Sequence, residues 1–106
     1  MVLARHEMGE VLRDVRLRRG DTLRQVASRA AVALGYLSEI ERGQKEPSSE
    51  ILASVAEALD TPLSEIYHAV GDRIAARERD QRLVGVIPDT VPADLIASVG
   101  PIESIA

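Results

Sequence analysis

The chain has 106 residues and a formal net charge of −4, contains no Cys, Phe or Trp, and draws its 45% hydrophobic content mostly from Leu, Val, Ile and Ala. This excludes a disulfide framework and suits one compact helical domain plus a short addition. No apolar run approaches the ~20 residues of a membrane span. The start, MVLARHEMGE, lacks a cleavable signal pattern because acids follow its short apolar stretch at once. A cytoplasmic protein without a membrane partner is expected.

A first helix is expected over about Glu7 to Arg19, with Met8, Val11, Leu12 and Val15 at helical spacing and Gly20 as its stop. A second begins at Thr22. Thr22 and Gln25 form a capping box, in which hydroxyl and amide each satisfy an orphan N–H. Leu23, Val26, Ala27 and Ala30 make its inner stripe. A third helix spans about Leu34 to Arg42, with Leu37 and Ile40 inward and Gly43 at its end. Pro47 and Ser48 open a fourth, whose Leu52, Val55, Ala56 and Leu59 face a core. Asp60-Thr61-Pro62 breaks the chain, and a fifth helix, about Leu63 to Val70, buries Ile66 and Tyr67.

Residues 72 to 106 differ in character. DRIAARERDQR reads as a highly charged helix. The remainder, VGVIPDTVPADLIASVGPIESIA, is too apolar for a solvated tail and too short for its own core. It is expected to pack on the main domain or on a second copy of the chain. The terminal ESIA reads as an ordinary packed end in preference to a degradation signal.

Charge is unevenly spread. Residues 1–45 hold nine Lys/Arg against six acids, whereas residues 46–106 hold four against eleven. The N-terminal half is therefore the candidate face for a polyanion despite the negative total.

The two short helices of TLRQVASRAAVALGYLSEIERG form a helix-turn-helix pattern, whose second helix can enter a DNA major groove. The full pattern runs from Thr22 through Val26-Ala27, Ala30, Val32, Tyr36-Leu37-Ser38 and Ile40-Glu41-Arg42-Gly43 to Pro47-Ser48. It resembles the Xre/Cro-type helix-turn-helix family over about Met8 to Tyr67. Within that family, GEVLRDVRLRRG and LGYLSEIERGQKE are most similar to the actinobacterial regulators of clp protease genes.

The resemblance implies an all-α fold: a five-helix, lambda-repressor-like domain over 5–70 and a C-terminal helical dimerisation extension over 71–106. It implies that helix 3 reads base edges through Leu34, Gly35, Ser38 and Glu39, with Tyr36 near the backbone or a base edge. Thr22 and Leu23, which open helix 2, are expected to contact phosphate. Arg42, Gln44 and Lys45 would meet the same strand. Arg16 and Glu41 would form an internal ion pair between helices 1 and 3. The implied function is a sequence-specific transcription regulator that binds a palindromic double-stranded operator as a homodimer. It would activate Clp protease and stress-response genes, with RNA polymerase and Clp protease as further partners.

Three departures from the family pattern stand out. Ala31 replaces the usual turn Gly, which costs about 1 kcal/mol if the position is left-handed. Ala33 replaces the usual Ser or Thr cap of helix 3. Leu23 replaces a common Gln, so either a phosphate contact is lost or Leu23 packs inward. Some residues also have plainer readings. Tyr36 can cover the junction of helices 2 and 3, and Glu39 can be a solvated charge or a partner for Arg42. Arg13, Arg18, Arg19 and Arg24 read as solvated.

Enzyme chemistry is not expected. His6 and His68 are the only histidines and lie far apart, the chain lacks Cys for zinc ligation, and it has no Gly-rich phosphate loop. No metal or cofactor is called for. The competing function is an antitoxin-like interaction module on the same fold, whose C-terminal segment engages a protein partner.

Overall fold

The computed structural model describes residues 1–85. Five helices follow one another without a strand among the described residues: α1 (Ala4–Arg19), α2 (Leu23–Ala30), α3 (Leu34–Glu41), α4 (Ser49–Ala58) and α5 (Leu63–Gly85). The expected all-α architecture is what forms. α1 packs on α3 and α5, α2 on α3 and α4, and α4 on α5.

The apolar stripes converge on a single core. Leu12, Val26, Leu37, Ile40, Val55, Leu59 and Ile66 are fully enclosed there, so every helix contributes. Two N-termini are capped as their sequences dictate. Thr22 Oγ1 accepts from Gln25 N–H at 3.0 Å while Gln25 Oε1 accepts from Thr22 N–H at 2.8 Å. Ser48 Oγ accepts from Ile51 N–H at 3.2 Å.

The first four helices end alike. In each, the residue after the last turn takes a left-handed conformation, and paired backbone bonds close the end in a Schellman arrangement. Gly20 and Gly43 do this at φ 76, where glycine carries no Cβ penalty. Ala31 does it at φ 57 and Asp60 at φ 51. At Ala31 the bonds are Ala31 N–H to the Ser28 carbonyl and Val32 N–H to the Ala27 carbonyl.

Several boundaries differ from the sequence reading. α1 starts at Ala4, one turn before Glu7. Glu7 lies on the buried side, 3% exposed, four residues before the core residue Val11. It is paid for by α5: Arg73 Nε lies 3.0 Å from one Glu7 carboxylate oxygen and Arg77 Nε 3.4 Å from the other. Arg73 also binds Glu10. These pairs explain why α5 does not stop near Val70 but continues as one helix through the charged stretch. Tyr67, expected inward, is 52% exposed, because Ile66 and Val70 occupy the core face of α5 and leave Tyr67 on the outer side with Leu63.

The anticipated C-terminal extension is described only as far as Gly85. Its apolar positions from Val86 onward, and the terminal ESIA, lie outside the described residues. Among the described residues no helix is long and apolar enough to cross a membrane.

The left-handed Ala31 generates a direct expectation. Ala31→Gly should raise stability by about 1 kcal/mol, seen as a melting temperature roughly 5 °C higher. A lower melting temperature would show that the turn does not carry this strain.

Candidate nucleic-acid interface

The outer side of α3 is defined by what its inner side buries. Leu37 and Ile40 are sealed in the core. Gly35 and Arg42 are exposed, and Leu34, Ser38 and Glu39 are half-buried, along a stripe at helical spacing. A Cβ on Gly35 would meet nothing within 4 Å, so the backbone of α3 is open at that position. Ala33 supplies no side-chain cap to that turn. The four leading N–H groups of any helix lack intrahelical partners and carry the positive end of its dipole.

α1 sets the attitude of α3. Gly9 lies directly beneath the end of α3, where an added Cβ would collide with the Ile40 carbonyl and lie 2.7 Å from that of Glu41. Nearby, Arg16 grips Glu41 in two parallel bonds, Nε to Oε2 at 2.7 Å and Nη2 to Oε1 at 2.9 Å. Arg16 Nη1 also donates to the Asp21 carbonyl at 3.1 Å, tying in the α1–α2 turn. The Glu41 carboxylate raises the Arg16 pKa above its ordinary value, although burial works against it. The ion pair implied by the resemblance is therefore present.

The ten residues singled out from the sequence have different surroundings. Leu23, Leu34 and Tyr36 are partly buried and lean on the core. Leu23 thus packs inward, and Tyr36 helps cover the core beside the α2–α3 junction. Ser38, Arg42 and Gln44 form one polar chain: the Arg42 guanidinium donates to Ser38 Oγ and, at 3.3 Å, to Gln44 Oε1. Arg42 therefore turns to Ser38 and Gln44, and among the described residues Glu39 makes no ion pair. Thr22 spends its hydroxyl on the capping box. Gly35 and Lys45 are exposed.

Other basic residues have structural employment that the sequence did not disclose. Arg19 Nε and Arg29 Nη2 both donate to Asp21 Oδ2, at 3.0 and 2.7 Å. Hydrogen bonding from Arg19, then Arg29, holds the Asp21 carboxyl below the usual carboxylate range. Arg29 Nε also donates to the Ala58 carbonyl, fastening α2 to the end of α4. Gly9 was missed as well. Its only sequence signal is a glycine inside an otherwise strong helical stripe, which suggests a close backbone approach.

The Arg16–Glu41 side chains are only 13% and 7% exposed, so removing one partner strands the other. Glu41→Ala is expected to destabilise the fold by about 3 kcal/mol. Glu39→Ala, on the outer side of the same helix, should change stability by no more than about 0.5 kcal/mol. Denaturant titration of the two variants separates a structural from a surface glutamate.

Comparison with known proteins agrees with this geometry. A helix-turn-helix family model (HTH_3) matches residues 12–66. The transcriptional regulator ClgR of Mycobacterium tuberculosis is 44% identical over 107 residues, covering 98% of this chain and 96% of that protein. The crystal structure of the clp gene regulator ClgR from Corynebacterium glutamicum superposes with a TM-score of 0.73 at 40% identity, covering 78% of this chain and 88% of that one. The restriction-modification controller protein C.Esp1396I, solved as a tetramer with its natural 35 base-pair operator, shares the fold with a TM-score of 0.65 at 19% identity. That match covers 71% of this chain and 99% of that one.

Proposed function

Because the chain belongs to the Xre-type helix-turn-helix family of DNA-binding transcription regulators, we propose that it binds a palindromic promoter operator as a homodimer and activates genes of Clp proteolysis and the stress response. It would act in the cytoplasm, with RNA polymerase as the partner for activation and Clp protease as a further one. The observation that carries the reading is the outer stripe of α3, an uncapped helix start held in one attitude by Gly9 and the Arg16–Glu41 pair. The likeness to ClgR over nearly the whole chain supports the choice of genes.

The division of labour follows from the residue types. Arg42, Gln44 and Lys45, with the backbone at Thr22 and Leu23 where α2 starts, supply phosphate contacts, which give affinity and salt dependence but no sequence choice. Leu34, Gly35, Ser38 and Glu39 face the base edges. Leu34 suits a thymine methyl, Ser38 can donate or accept, and Glu39 accepts from cytosine N4. Gly35 lets the helix backbone approach closely. Tyr36, leaning on the core, is placed to flank this face.

Leu34 and Gly35, at the start of this face, offer no Arg, Asn or Gln for the strongest bidentate base contacts, so one copy gains little discrimination. A dimer doubles the contacts and places its half-sites roughly 34 Å apart, one DNA turn. The exposed Leu63 and Tyr67 on α5 are apolar surface that a second copy could cover. The apolar residues beyond Gly85 would complete the dimer.

Two measurements test the proposal. Selection from randomised duplexes at about 0.15 M salt should enrich a palindrome with half-sites one turn apart. Retention of no DNA would sink the reading in favour of a protein-interaction module. Removal of residues 84–106 should give a monomer in sedimentation and weaken operator binding. A truncated chain that still sediments as a dimer would move the interface to the helical body.

A further inference from the structure

The start of α1 lies against the turn that follows α3. Arg5 Nε donates to the Gly43 carbonyl at 3.2 Å from an exposed side chain. Gly43 is left-handed, and a Cβ there would lie 3.0 Å from His6 Cα, so the two segments meet backbone to backbone. Lys45, exposed, stands two residues beyond Gly43 in the same turn.

We propose that Arg5 is a further phosphate-contacting residue, which together with Lys45 forms a basic clamp on the DNA backbone at the edge of the α3 face. This rests on the reading of the chain as a DNA-binding regulator. A guanidinium has five N–H donors. The Gly43 carbonyl takes the one on Nε. The two Nη groups remain to meet a phosphate, whose oxygens match their spacing. The tether to Gly43 holds a long side chain at the turn beforehand, so less rotamer freedom is lost on binding.

The two acids nearest in sequence are already engaged, Glu7 by Arg73 and Arg77. Glu10 binds Arg73, and His6 Nε2 at 3.1 Å. Among the described residues Arg5 is therefore not drawn off to a carboxylate, unlike Arg16, Arg19, Arg29 and Arg73.

The test compares the full chain with Arg5→Gln and Arg5→Lys. Each is titrated at several salt concentrations against the duplex recovered by selection and against a duplex of the same length and scrambled sequence. The slope of log affinity against log salt should become shallower by about 0.9 for Arg5→Gln on both duplexes. Base preference should stay unchanged, and Arg5→Lys should keep the original slope. An unchanged slope in Arg5→Gln, with the parent chain binding normally, overturns the proposal alone. So does a loss confined to the selected duplex, which would assign Arg5 to holding the Gly43 turn in shape. A parent chain that binds neither duplex overturns the underlying reading as well.

Discussion

The contact between α1 and the end of α3 is the constraint on which the rest of the molecule depends. Gly9 allows two backbones to touch where any side chain would hold them apart. Arg16 then locks the approach with a two-pronged bond to Glu41, and its third donor reaches the Asp21 carbonyl. One side chain thereby coordinates α1, α3 and the turn into α2. Each device alone would leave α3 a degree of freedom. Together they fix its inner face and its rotation, which decides which residues face outward.

That arrangement is asymmetric by design of the packing. The C-terminal half of α3 is clamped by α1, while its first turn has neither a side-chain cap nor a Cβ at Gly35. An eight-residue helix is too short to be stable alone. It persists because Leu37 and Ile40 are completely enclosed. Stiffness behind and unsatisfied backbone N–H groups in front both come from the same eight residues. The strain of a left-handed Ala31 is tolerated nearby because the closing bonds of α2 demand that conformation whatever residue occupies it.

Charge follows the same logic. The net charge is negative, and yet three of the nine basic residues in residues 1–45 are already ion-paired internally. Arg16, Arg19 and Arg29 are consumed by Glu41 and Asp21, and Arg73 and Arg77 by the acids of α1. The cations left near the α3 face are few and clustered at the turn after it.

Periodicity and punctuation determined the helices themselves. The inner stripes, the Thr22–Gln25 capping box, the Gly20 and Gly43 stops and the Ser48 cap are local patterns, settled within one or two turns of chain, and they were legible in the residues. The pattern from Thr22 to Ser48 was specific enough to mark the family and the Arg16–Glu41 pair. Only the tertiary structure decided the rest. It showed that Glu7 is buried, that α5 runs on to meet it through Arg73 and Arg77, and that Tyr67 faces outward while Val70 faces in. It also showed that Leu23 leans on the core and that Arg5 reaches Gly43. The physical reason is range. A cap or a stripe is written in residues three or four apart, whereas a salt bridge across sixty-six positions, or a glycine whose neighbour is another helix's carbonyl, exists only once the helices have met.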